Sequence, residues 1–268
     1  MIEPNSLKPD IISCPHDEDV KILGISAFYH DSAASLIKNG SIIAAVQEER
    51  FSRVKHDKSF PHAAINYCLE EAYLDINDLD AIVFYDNSYI TLERIISSHL
   101  AVAPKGGEMW LDMFSKWIAS NFHVKEIIKS DLDYKGKIMH TEHHRSHAAS
   151  AFFVSPFKEA AILTIDGVGE WATASISRGV DNKLQMVKEL QYPNSVGLLY
   201  SSFTYYCGFK VNSGEYKMMG LAPYGKPIYV EDIKNNIVDI RPDGSIKLNL
   251  EFFEFMSSNK SMISLKFE

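Results

Sequence analysis

From Lys21 onward, short apolar runs alternate with turn residues, and the runs have strand length. KILGISAFY (21–29) is apolar and β-prone. Ser32 to Ile37 and Ser41 to Glu48 read as two further strands around Lys38-Asn39-Gly40. Asn-Gly supplies the positive φ that a tight hairpin turn requires. The apolar period then changes. PHAAINYCLEEAYL (61–74) has helical spacing with proline near its start. LDAIVFYD (79–86) is a short buried strand, Tyr89 to Ser130 is mostly helical around an APKGGE interruption, and KGKIMHTE (135–142) is a strand again.

A second strand series follows in AAILTIDGV (160–168), EWATASISRG (170–179) and KLQMVKELQY (183–192). It shares an order with the first series: strand, acidic or polar turn, small-residue strand, Gly-containing turn, strand. Two copies of such a unit predict an α/β fold of two pseudo-repeated subdomains, about 21–155 and 156–268. Folds of this kind bind a nucleotide between their halves. SVGLLYSSFTYYCGFKV (195–211) is amphipathic and expected to be helical, and SGEYKMMGLAPYGKP (213–227) is a Gly-rich loop with a helical middle. The polar, proline-bearing residues 1–20 are expected to be a flexible leader. The tail from Ile228 shows no clear finishing element, so the second subdomain is expected to be incomplete.

Composition narrows the function classes. The chain has 268 residues, 46% hydrophobic and 23% charged, which is a globular balance. The formal net charge of −8 and the absence of a Lys/Arg-rich block disfavour nucleic acid as a partner. Cys14, Cys68 and Cys207 are far apart and form no CxxC pair, which fits a reducing compartment. No signal-peptide core or membrane-length apolar run occurs, so a soluble, cytoplasmic protein is expected.

Candidate chemistry centres on HTEHHRSH (140–147), which holds four of the ten histidines. His143 and His147 have i, i+4 spacing and share a face on a helix. Asp166, at the end of the strand AILTID and followed by Gly167, is the candidate anionic ligand. Two imidazoles and a carboxylate suit a first-row divalent ion such as iron, manganese or zinc. The competing reading of Asp166 is a turn residue capping its own backbone. In DGVGE, Gly167 and Gly169 permit close backbone approach to an anion, with Glu170 beside them, or the segment is simply a hairpin turn. His30-Asp31 occupies the corresponding turn of the first series.

LGISAFYHDSAASLIKNG, AAVQEERFSRVKHDKSFP, EHHRSHAASAFFVSPFKEAAILTIDGVGEWATASI and SGEYKMMGLAPYGKP, in this order, resemble the O-carbamoyltransferases of nodulation-factor and antibiotic biosynthesis. The resemblance implies an actin-like ATPase (ribonuclease H-like) fold. It implies a metal, iron in the family, on His143, His147 and Asp166. It also implies a division of labour. A YrdC-like domain, absent from these 268 residues and therefore a possible partner in trans, makes carbamoyl-adenylate from ATP and carbamoyl phosphate. The present domain then transfers the carbamoyl group to the hydroxyl of a small-molecule acceptor. Gly167, Gly169 and Glu170 are expected on the nucleotide side, and His30 or Asp31 near the acceptor hydroxyl. The alternatives are a non-catalytic metal- and nucleotide-binding subunit, or a kinase or tRNA-modifying enzyme of the same fold. The run YHDSAASLI favours the small-molecule transferase.

Overall fold

The computed structural model describes residues 19–120 and 123–267. Most of the expected leader, with Cys14, lies outside the described residues. The chain divides into two compact units. The described part of one comprises residues up to Tyr89 together with Ser115–Ser146, and that of the other comprises Ile90–Phe114 and the residues from His147.

The first unit is built on a five-stranded sheet. Its strands are β1 (Lys21–Ser26), β2 (Ala33–Lys38), β3 (Ser41–Gln47), β4 (Ala81–Phe84) and β5 (Lys137–His140), in the order β3-β2-β1-β4-β5. β2 runs antiparallel to both its neighbours, while β1, β4 and β5 are mutually parallel. This mixed order is that of the actin-like ATPase fold. The first three strands can be hairpin-linked because Asn39 (φ 52°) and Gly40 (φ 77°) turn the β2–β3 corner with positive φ. The parallel strands need longer crossovers. A single turn α1 (Glu49–Ser52) and the helix α2 (His62–Ala72) precede β4. The helices α3 (Ser88–Val102), α4 (Gly107–Ser120) and α5 (Val124–Leu132) precede β5 in the chain, with Ile90–Phe114 of α3 and α4 belonging to the other unit. Leu23, Ile25, Leu36, Ile65, Cys68, Ile82, Phe84, Val124 and Ile128 form the core of this unit, where α2 and α5 supply its helical side.

The start of α2 has an unforeseen support. Pro61 stands at its N-cap and offers no side-chain acceptor. Instead the buried carboxylate of Glu48, at the end of β3, accepts the amides of Ala63 (3.1 Å) and Ala64 (2.8 Å). A carboxylate satisfying unpaired first-turn amides is favourable both as a hydrogen bond and against the helix dipole.

The second unit carries the antiparallel sheet β6 (Glu159–Ile165), β7 (Ala172–Val180) and β8 (Lys183–Gln191), in chain order. It thus repeats the meander of β1–β3, as the shared strand order predicted. Helix α6 (His143–Phe152) ends against this sheet, where Ala148, Phe152 and Ile162 pack together. Gly179 is needed there, since a Cβ would stand 2.6 Å from the Phe152 ring. Helices α7 (Val196–Tyr206) and α8 (Glu215–Leu221) fall where helical character was expected. The tail is more ordered than its sequence suggests. Helix α9 (Val230–Asn236) and the hairpin of β9 (Val238–Ile240) with β10 (Ile246–Leu248) gather Val238, Leu248 and Phe253 into a satellite core. Among the described residues no helix is long and apolar enough to cross a membrane.

Candidate metal and transfer site

The histidine-rich segment is split by secondary structure into three environments. His140 ends β5, and its Nδ1 donates to the Asp86 carbonyl at 3.2 Å. His144 is almost fully buried on the inner face of α6. His143 and His147 stand one turn apart on another face of the same helix. Adjacent histidines thus have opposite fates because consecutive residues on a helix point about 100° apart.

Asp166 comes from the residue after β6. Its two carboxylate oxygens do different things. Oδ1 accepts the Gly167 amide at 2.6 Å, which is the turn-capping reading. Oδ2 lies 3.5 Å from His147 Nε2. His147 and Asp166 thus bring metal-type donor atoms close together, and His143 stands one turn earlier on the same helix. All three retain some solvent access, with the His147 side chain half exposed.

The turn that carries Asp166 is fixed from α7. Ser195 caps that helix, accepting the Leu198 amide at 3.0 Å, and its hydroxyl reaches the Gly167 carbonyl at 2.7 Å. Gly197, in the first turn of α7, approaches the same backbone. A Cβ built on it would meet the Asp166 carbonyl oxygen at 2.4 Å. The amides of Gly167 and Gly169 are engaged within the turn, with Asp166 Oδ1 and the Ala172 carbonyl respectively. Glu170 is buried beside them.

The sequence profile of the family described as "Carbamoyltransferase N-terminus" matches residues 21–268. The chain belongs to this family. Among curated proteins, this carbamoyltransferase N-terminal domain is 52% identical over 254 residues to the uncharacterised protein sll1178 of Synechocystis sp. That match spans 92% of this chain and 41% of that protein. It is 34% identical over 229 residues to nodulation protein NolNO of Sinorhizobium fredii, spanning 84% of this chain and 32% of NolNO. The domain therefore spans well under half the length of these relatives. YeaZ from Pseudomonas aeruginosa superposes over 63% of this chain and 66% of its own, with TM-score 0.34 and 11% identity. That likeness is too slight to add to what the strand order already gives.

His30 and Asp31 of the carbamoyltransferase domain lie in the loop after β1. His30 Nδ1 is 2.7 Å from Asp31 Oδ2, and the His30 side chain is 52% exposed. Burial alone would raise the Asp31 pKa, but hydrogen bonds from His56 and His30 outweigh it and hold the carboxyl below its ordinary range. In the Gly-rich segment, Glu215 accepts the amides of Asn212 (3.0 Å) and Gly214 (3.1 Å) and the Ser201 hydroxyl (2.9 Å). It joins α8 to α7.

Sequence reasoning did not anticipate Ser195, Gly197 or His56. A helix-capping pattern was present in S-V-G-L after Pro193, since serine at the N-cap is a strong start signal. Nothing in the sequence could show that Gly197 faces the turn of Asp166. His56 sits inside the matched run RVKHDK, where spacing gives it no partner.

Proposed function

We propose that this domain performs the transfer half of an O-carbamoylation, moving a carbamoyl group from carbamoyl-adenylate to a hydroxyl of a small-molecule acceptor. The observation that carries the reading is the combination of the family match with the 3.5 Å approach of Asp166 to His147, which shares a helix face with His143. The donor set fits a divalent first-row ion, iron foremost, with manganese or zinc as other occupants. Bound there, such an ion supplies Lewis acidity toward an oxygen that gains negative charge.

The chain's own residues account for the remaining tasks. His30 accepts the proton of the acceptor hydroxyl at Nε2, and Asp31 on its Nδ1 side steadies the imidazolium that forms. The O–H bond breaks as the acceptor oxygen bonds to the carbamoyl carbon. The bond from that carbon to the phosphate oxygen then breaks, and AMP leaves. The products are the carbamate ester, AMP and one proton. The turn of Gly167, Gly169 and Glu170 is assigned to the phosphate side of the donor for the close backbone approach its glycines permit, since their amides are already taken up within the turn. ATP and carbamoyl phosphate enter at a YrdC-like adenylating domain, on the same polypeptide or a separate one. The compartment is proposed to be the cytoplasm.

The test supplies the chain with carbamoyl phosphate, ATP and a panel of sugars and other alcohols, with and without a YrdC-like domain, and reads carbamate esters by mass spectrometry. Ester is expected when the adenylating domain is present and not from the chain alone. His147→Ala and Asp166→Ala should abolish it and lower metal content together. Undiminished ester from a His143→Ala/His147→Ala double variant would overturn the site. A phosphorylated acceptor would overturn the reaction class.

A further inference from the structure

Two loops of the first unit are stapled together. Phe28 N donates to the Lys58 carbonyl (2.9 Å), and Ser32 N to the Asp57 carbonyl (2.8 Å). Four non-glycine residues in these loops hold left-handed backbone: Phe28 (φ 75°), Asp31 (51°), Arg53 (57°) and His56 (57°). Such conformations cost free energy and persist where the surroundings impose them, often at functional sites. Their result is that Asp31 lies between two imidazoles. Its Oδ2 faces His30 Nδ1 at 2.7 Å, and its Oδ1 faces His56 Nδ1 at 3.1 Å. The backbone amide of His56 is in turn held by Glu49 Oε2 at 3.1 Å.

A carboxylate accepts and does not donate, so each Nδ1 must bring the proton. That fixes the tautomer of both rings. His30 then keeps an unprotonated Nε2 on a ring that is half exposed. The His56 Nε2 is buried and has no hydrogen-bond partner among the described residues. The bond to Asp31 is therefore the one side-chain hydrogen bond that His56 makes among them.

We propose that His56 is a positioning residue: by donating to Asp31 Oδ1 it locks the carboxylate that holds His30 in its Nδ1–H tautomer, leaving His30 Nε2 free to take a proton. The proposal rests on the reading of His30 as proton acceptor, but its test involves no turnover, so either can fail without the other. Without His56, the Asp31 carboxylate loses one of its two restraints and can rotate away, and His30 is free to carry its proton on Nε2.

The experiment uses the full 268-residue chain with 15N-labelled histidine, read at neutral pH by long-range 1H–15N correlation of the rings. The wild type should show Nδ1–H at both His30 and His56. In His56→Ala, a substantial Nε2–H population should appear at His30. In His56→Asn, whose side-chain N–H lies close to where Nδ1–H was, the wild-type tautomer should return. His56→Gln sets its donor about one bond further out and should not restore it. Methyl spectra of the core check that each variant is folded. Nε2–H at either ring of the wild type overturns the proposal, as does an unchanged His30 tautomer in folded His56→Ala or His56→Gln. Should His56→Ala not fold, the Asn–Gln comparison decides.

Discussion

Gly197 meets the carbonyl of Asp166 with no space for a side chain between them: a Cβ would stand 2.4 Å from that oxygen. Gly197→Ala must therefore push α7 away from the turn or distort the turn itself. Overpacking of this kind costs about 1–3 kcal/mol. The control is Gly220→Ala in α8, where a Cβ meets nothing within 4 Å. There the gain in helix propensity should be about 0.5–1 kcal/mol. Urea unfolding of both variants measures the contrast, and metal content should fall in Gly197→Ala alone.

Glu48 should behave as a structural residue despite its position in the matched run EERFSR. Its carboxylate satisfies two α2 amides from a site 7% exposed. Glu48→Ala leaves those donors unpaired and should destabilise by about 1–3 kcal/mol. Glu48→Gln retains one acceptor oxygen and should fall between. Denaturant midpoints read the order directly, and equal stability of all three proteins would contradict the capping role.

Metal removal gives a separate reading of the three-residue site. A ligand that binds the folded form stabilises it by about 3 kcal/mol at a hundredfold excess over its dissociation constant. Iron(II), manganese(II) or zinc(II), added after chelation, should therefore raise the melting temperature. The rise should vanish in His147→Ala. Calorimetric scans check it, and an equal rise in the variant would place binding elsewhere.

His140 gives the fold a pH dependence of predictable sign. Burial depresses its pKa, with the Asp86 carbonyl partly opposing. Below the ordinary histidine value of about 6.5, the unfolded chain binds the proton more readily than the folded one. The stability that the neutral ring contributes is therefore present above about pH 6.5 and is lost as pH falls through the folded value. Unfolding at pH 7.5 and 5.5 should show a larger acid loss in the wild type than in His140→Gln.

The strands and the hairpin were legible in the sequence because each has a strong local signature. Lys38-Asn39-Gly40 demands one turn geometry, and the alternation around it demands one sheet face. The pair His143 and His147 was legible for the same reason, since helix period alone joins them. Asp166 was legible as a strand-end acid, though its split duty between Gly167 and His147 was not. What stayed hidden depends on contacts distant in sequence. Glu48 caps a helix 15 residues away in the chain, and His56 reaches back 25 residues to Asp31. The elements of the tail were not legible because Val238, Leu248 and Phe253 become a core only when the hairpin folds.

Cys68 has a consequence for how this domain can be watched. Its thiol is fully buried, and burial lifts its pKa to about 11. At pH 8 about a thousandth of such thiols are ionised, and the thiolate is the reactive form. Cys207, by contrast, is exposed. With Cys14 and Cys207 changed to serine, alkylation of Cys68 becomes a clock that advances only while the first unit is open. The opening frequency of that unit can then be read by mass from an unlabelled protein.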